Sequence, residues 1–212
     1  IFSRVVYGAR ISLMVGLITQ GIALVLGISL GAIAGYYGGL IDEAISYLIQ
    51  VFLAFPFILF AIAIMAVFSE PGVDKVFLAL GLISWPPLAR IVRGQVMSIK
   101  EEEYIEAAQS LGASDFRIIV KHVIPNSLAP IIVTVTLGVA GAILAEAGLS
   151  FLGLGTQPPR PSWGVMLKTG QEYLRSYPHM IWFPGIAIMT AVMGINLLGD
   201  GLRDALDPKM KD

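Results

Sequence analysis

The sequence predicts an all-α polytopic membrane protein with five transmembrane helices, and three observations carry that expectation. The chain is 56% hydrophobic and only 14% charged, with a mean hydropathy of +0.80, whereas soluble domains are about a quarter charged. Its apolar residues fall into uncharged runs near the roughly 20 residues that a bilayer crossing needs. Its charges are gathered instead: residues 100–121 hold eight of the twenty-nine Asp, Glu, Lys and Arg side chains.

The first run, Ser12 to Ile41, is thirty residues without a charge, and Ala44 to Ser69 adds twenty-six. Val76 to Ala89 is only fourteen residues. It reaches spanning length if it continues to about Val96, with Arg90 and Arg93 snorkelling their heads to the interface. Val123 to Ala145 and Ser176 to Gly199 supply twenty-three and twenty-four more. The chain therefore reads as a single transmembrane domain over 1–212, with spans at about 12–37, 44–68, 75–96, 126–148 and 179–199. A polar loop at 97–125 and an outer loop at 149–178 complete it.

An odd number of spans puts the two ends on opposite faces. With the polar loop inside, eight basic residues lie on the cytoplasmic side (Arg90, Arg93, Lys100, Arg117, Lys121, Arg203, Lys209, Lys211). Six lie outside (Arg4, Arg10, Lys75, Arg160, Lys168, Arg175). That bias agrees with this orientation without establishing it. The chain starts at Ile1 without a signal segment, so it is expected to begin inside a longer gene product.

A net charge of −1 gives no hint of nucleic acid, and the lack of cysteine excludes disulfides and thiolate metal sites. Gly27, Gly31, Gly35 and Gly39 recur every four residues. They make a face where another backbone can approach, inside this subunit or at an interface with another. Pro56, mid-run in L-A-F-P-F, should kink or break its helix, and kinked helices often line pathways. Glu146 shares an i, i+4 stripe with Thr134, Gly138 and Ala142, so it should face protein. An intramembrane acid is a functional candidate. It also stands twenty-one residues past Pro125, roughly 30 Å along a helix, where it would meet the far interface. In the outer loop, Pro158, Pro159 and Pro161 oppose a regular helix. Trp163, Tyr173, Tyr177 and Trp182 suit a membrane-interface belt or a docking surface.

The polar loop reads as helix, tight turn, helix. Ser98 followed by Glu101 has the spacing of a capping box, placing a helix start near Ile99. Gly112 is placed to be the left-handed residue that ends this helix. Ser114 can then cap a second helix from Asp115 to about Ile124, and Pro125 marks the next boundary. In the first helix, Tyr104, Ala107, Ala108 and Leu111 fall on one side, opposite Glu102, Glu106 and Gln109. The adjacent alanines leave little bulk, so that side can lie flush against another surface.

At this point the chain resembles a known family. Glu106-Ala107-Ala108, Gly112 and Pro125 are similar to the EAA loop of ATP-binding-cassette importer permeases. His122-Val123-Ile124-Pro125 departs from the general ending Ile-x-Leu-Pro but resembles the variant of the peptide and nickel branch. Ser3–Leu13, Ala54–Pro56, S-F-L-G-L-G with P-S-W-G at Ser150–Gly164, and Gly199–Pro208 support the same branch. Together they point to the C-type subunit of dipeptide, oligopeptide and nickel importers. Tyr47 and Gln50 depart from the Arg and Asp often found there.

The resemblance implies a sixth span upstream of Ile1 and a division of labour among subunits. An extracytoplasmic solute-binding protein delivers peptide or nickel. A second permease, B-type or a second copy, completes the pathway within the membrane lipid. Two cytoplasmic ATPase subunits bind ATP and Mg and move the permeases through Glu106, Ala107, Ala108 and Gly112, with Tyr104 and Asp115 at the edges of the contact. The residues agree that the chemistry lies elsewhere. No Gly-x-x-x-x-Gly-Lys-Ser/Thr loop or His-Glu-x-x-His motif occurs, and no clustered nucleophile, base or metal-ligand set is seen, so no catalytic residue, cofactor or metal ligand is assigned here. The alternative is a secondary transporter or channel driven by an ion gradient. An intramembrane enzyme and a non-transporting scaffold are further competitors. An ion-driven device needs ionisable groups in the membrane, and Glu146 is nearly alone.

Overall fold

A computed structural model describes residues 1–68 and 70–206. Ser69, which ends the second apolar run, lies outside the described residues. So do Asp207 and Pro208 of the closing motif, and Lys209 and Lys211 of the charge count.

The described chain is all helical. Four helices are long and apolar enough to cross a membrane: α1 (Phe2–Tyr37), α4 (Val73–Lys100), α8 (Leu128–Phe151) and α10 (His179–Leu206). Between the first two lie α2 (Gly39–Ala54) and α3 (Phe57–Val67), bent by 92° from one another. They make a fifth crossing if the pair counts as one broken span. The break falls at Pro56, whose ring forces Phe55 into extended backbone (φ −90°, ψ 135°). The polar loop contains α5 (Glu103–Ser110), α6 (Asp115–Ile118), a π-helical turn at Ile119–Val123 and α7 (Ile124–Asn126). The outer loop contains α9 (Trp163–Glu172).

α1 runs 36 residues, roughly 54 Å at 1.5 Å per residue, well beyond the expected start at residue 12. Its buried face includes Ser12, Gly16, Gln20, Ala23, Gly27, Gly31 and Gly35, a stripe of mostly small residues at helical spacing. The stripe seats α4 inside the same subunit. A methyl group on Gly31 would stand 2.6 Å from the Ala89 carbonyl oxygen, and one on Gly35 2.7 Å from that of Arg93. Gly16 receives Val139 and Ile143 of α8 in the same way. Gly39 leaves the stripe: with Gly38 it has positive φ (53° and 66°) and forms the joint between α1 and α2, which a residue with a Cβ rarely adopts.

Two apolar clusters follow from this seat. One, around Val15, Met65, Leu80 and Leu149, joins α1, α3, α4 and α8. The other joins Tyr36, Val92 and Val96 to Ile105, Ile118 and Val123 of the polar loop.

Several expectations change. Arg93 is paired as well: its Nη2 donates to Asp42 Oδ2 at 2.6 Å and its Nε to Oδ1, closing an ion pair between α4 and α2. Trp163 is not a belt residue. It is buried, and its indole N–H donates to the Val5 carbonyl at 3.0 Å, whereas Tyr173, Tyr177 and Trp182 are exposed. The outer loop regains a helix directly after its prolines, because the Ser162 hydroxyl accepts the Val165 N–H at 3.3 Å and caps α9.

Gly31→Ala must push a methyl group against backbone that has no rotamer to yield, so it should lower the protein's stability in detergent by about 1–3 kcal/mol. Gly94→Ala, whose new methyl meets open space, should not lower it. Thermal unfolding of the two purified variants checks the pair.

Candidate functional site

The polar loop takes its shape from one turn. Gly112 has φ +80°. Its N–H bonds the Gln109 carbonyl at 2.9 Å, and the Ala113 N–H bonds that of Ala108 at 3.1 Å. These are the two bonds of a Schellman ending, which satisfies the last carbonyls of α5 and requires a left-handed residue. Asp115 then opens α6 at its positive end.

The start of the loop differs from the capping-box expectation. α4 continues through Ser98 to Lys100, and α5 begins at Glu103 after Glu102. A capping residue needs extended backbone; Ser98 lies inside a helix, so its side chain has no free helix end to close. Ser114 holds the cap position of α6, but its side chain makes no cap bond.

Pro125 does stand at an element boundary, in the first turn of α7. It follows a π-turn in which the Ile124 N–H reaches the Ile119 carbonyl. The wider turn accommodates a ring that would strike the carbonyl four residues back in a regular helix. The next two side chains close the local carbonyls: Asn126 Nδ2 donates to His122 O at 2.5 Å and Ser127 Oγ to Val123 O at 2.9 Å.

The loop is tied down on its inner side. Ile105 and Ile118 are fully buried against the ends of α1 and α4. The Tyr36 hydroxyl donates to Asp115 Oδ1 at 3.0 Å, while Lys100 Nζ donates to the Tyr36 carbonyl at 2.8 Å and sits 5.7 Å over its ring. On the outer side Tyr104, Glu106, Ala107 and Gln109 are exposed and Ala108 is half-buried. Leu111 and Phe116 are 88% and 76% exposed. Two large apolar side chains thus stand at the tip of a charged segment. Tyr104 is braced by Asn126, whose Nδ2 donates to its hydroxyl at 3.4 Å, with the His122 ring 6.5 Å away.

The membrane candidates fall in two places. The residues flanking Pro56, Phe55 and Phe57, help line a cavity of about 320 Å³ between α1, α2, α3, α4 and α8. Glu146 does not line it. This carboxylate is fully buried and accepts from Ser12 Oγ at 3.2 Å, Ser150 Oγ at 2.6 Å and Thr156 Oγ1 at 3.3 Å. It pins α1, α8 and the outer turn together. Tyr47 and Gln50 are both exposed on α2. His122 and His179 make no metal cluster, and no group of three or more His, Asp or Glu side chains able to hold one is found among the described residues.

Sequence reasoning missed Tyr36, Lys100 and the Asp42–Arg93 pair. Their partners lie 79, 64 and 51 residues away, and no local periodicity signals contacts at that distance.

A multi-pass helical protein with a water-facing helix–turn–helix has the form of a membrane permease. The chain belongs to the family of binding-protein-dependent transport system inner membrane components, whose model matches residues 27–212. It is 52% identical over 211 residues to a dipeptide transport system permease protein of Alkalihalophilus pseudofirmus, covering 100% of this chain and 69% of that one. It is 44% identical to a glutathione transport system permease protein of Pectobacterium atrosepticum, covering 100% and 70%. In fold it is similar to a methionine ABC transporter in an inward-facing conformation, with a TM-score of 0.77, 20% identity and 97% of each chain covered. An amino acid ABC transporter matches with a TM-score of 0.67 at 17% identity, over 98% of this chain and 94% of that one.

The chain is therefore an inner-membrane permease subunit of an ATP-binding-cassette importer, and ATP hydrolysis belongs to separate ATPase subunits. Importers of this kind combine permeases, ATPases and a solute-binding protein.

Tyr36→Phe removes the bond to Asp115 and should cost the loop's anchorage about 0.5–1.5 kcal/mol. Backbone amides of residues 112–118 should exchange hydrogen several-fold faster in that variant, while those of α8 do not change.

Proposed function

We propose that this chain forms half of the translocation pathway of an importer for peptides, and that it receives the motion of the ATPase subunits through the segment Tyr104–Asp115. The observation that carries this reading is the two-sided loop. One side is fixed to α1 and α4 through Ile105, Ile118, Tyr36 and Lys100. The other presents Ala107, Leu111 and Phe116 to water. A segment that is bonded to two spanning helices and apolar at its tip can transmit a push from a soluble partner instead of absorbing it.

Glu106, Ala107, Ala108 and Gly112 make the contact, Tyr104 and Asp115 border it, and Pro125 joins it to α8. ATP binding in the partner subunits favours one arrangement of the spans, and the anchored loop passes that preference to α1 and α4 as a population shift. Pro56 breaks the span beside the cavity and gives it a hinge; Glu146 holds the outer ends of α1 and α8 while the inner ends move. The peptide cargo is supported by the dipeptide and glutathione permeases that the chain resembles. A different, B-type permease forms the other half, and a solute-binding protein delivers the ligand to the outer loop.

In this arrangement the chain crosses the membrane five times, α2 and α3 together making one crossing, with 97–125 cytoplasmic and 149–178 outside. The absence of cysteine makes the sidedness directly measurable. In single-cysteine variants of intact cells, Arg160→Cys should react with an impermeant maleimide, whereas Ser110→Cys should react only after permeabilisation. The opposite labelling pattern would invert the topology.

Gly112→Val puts a β-branched residue at positive φ, a genuine steric outlier. It should release the ATPase subunits and abolish uptake of a labelled dipeptide while the protein still inserts. Normal ATPase co-purification and uptake in this variant would remove the coupling role from the turn.

A further inference from the structure

The cavity beside Pro56 contains one polar group that nothing in the fold uses. Gln20 lies in the middle of α1, is 7% exposed, and points its amide at the cavity. No hydrogen bond to that amide is found among the described residues. The other polar side chains of the wall are engaged: the Ser84 hydroxyl donates to the Leu80 carbonyl at 2.6 Å and the Thr134 hydroxyl to that of Pro130 at 2.7 Å. The amide atoms are open to the cavity rather than sealed in the packing, since among the described residues only Thr19 Oγ1 is a fully buried side-chain polar atom without a partner, and lipid chains have no partner for an amide.

The surroundings keep that amide free. Gly138 of α8 faces it, and any Cβ there would collide with the Gln20 amide oxygen. On the α4 wall, Pro86 and Pro87 lack the N–H groups that would bond the Leu82 and Ile83 carbonyls, so this wall is short of donors as well. Opposite, Phe52, Phe55, Phe57 and Phe60 gather at the break between α2 and α3, with ring centroids 5.2 Å apart for Phe55–Phe60 and 5.5 Å for Phe52–Phe60. Among the described residues no charged side chain lines the space, whose volume of about 320 Å³ lies at the small end of ligand sites.

We propose that this cavity is a transit site for the peptide: the Gln20 amide pairs with a peptide group, and the four phenylalanines hold a neutral, apolar side chain. An amide offers one acceptor and two donors, which match the C=O and N–H of a peptide bond. The uncharged wall does not grip the peptide's termini or a metal cation, so it favours cargo by its backbone and by the apolarity of one residue. The inference rests on the peptide-importer reading given above.

The test uses the complete transporter, with its partner permease, ATPases and binding protein, in liposomes. Wild type, Gln20→Leu and Gly138→Ala are compared for uptake of alanyl-phenylalanine and for ATP hydrolysis stimulated by loaded binding protein. A dipeptide bearing a benzophenone side chain maps the site in the wild type. Uptake should fall about tenfold or more in Gln20→Leu, the loss expected when a polar ligand group is left unpaired. ATPase stimulation and co-purification of the partner permease should persist, and the photoreactive dipeptide should attach within Phe52–Phe60.

Gly138→Ala, which displaces the amide, should show the same split. Undiminished uptake in Gln20→Leu overturns the site and leaves the importer reading intact, and higher thermal stability in that case identifies a lipid-filled space. Loss of the partner permease in Gln20→Leu assigns the cavity to the subunit interface instead. Attachment of the dipeptide elsewhere also overturns the site, whether or not the variants assemble. A wild-type transporter that takes up no dipeptide overturns the peptide reading and this site together.

Discussion

The contact on which the rest depends is between two backbones. α1 presents glycine at positions 27, 31 and 35, and α4 lies so close that an added methyl on Gly31 would strike the Ala89 peptide oxygen as well as the Val92 side chain. Inside a membrane there is no hydrophobic force to bring helices together, and close van der Waals packing takes its place. With α1 and α4 fixed side by side, their inner ends emerge next to each other, and Tyr36 and Lys100 meet there. The polar loop returns to that one spot through Asp115, Ile105 and Ile118. Asp42, just past the glycine joint, closes on Arg93 beside it.

The low-dielectric interior sorts the polar groups by how fully they are paired. Glu146 is buried, but three hydroxyls donate to it, and Ser150 in turn accepts the Thr156 N–H. That set is closed and serves as a joint. Gln20 is nearly as deeply buried, on the same helix as Ser12, and its amide is open. Two polar residues of one helix thus differ in what the fold asks of them, and the difference lies in their partners rather than in their depth.

Much of this was legible in the sequence because it is local. Charge-free runs give spanning helices, a proline in the middle of one breaks it, and a glycine eleven residues after Glu101 ends a short helix in a left-handed turn. The extent of α1 was not legible, because Arg4 and Arg10 interrupt the uncharged run but not the helix. The capping box at Ser98 failed for the reverse reason: the spacing was right, but α4 had no end there to cap. Pro125 was legible as a boundary, but the π-turn before it was not, because such a turn leaves no compositional mark. The anchors of the loop were beyond reach, since Tyr36 and Asp115 meet only after α1 and α4 have packed. Gln20 looked like one polar residue in an apolar run; its meaning comes from a glycine 118 positions away that leaves room for it.

Leu111 and Phe116 have a consequence for the making of the protein. They stand exposed on the polar loop, and in the proposed topology that is the side where newly made chains meet chaperones and proteases. A subunit produced without its partners displays two large exposed apolar side chains on this loop, the kind of surface that invites self-association and degradation. A subunit whose tip is covered hides the same mark. Under the proposed coupling contact, the feature that fits the chain to its neighbours would also distinguish assembled copies from surplus ones.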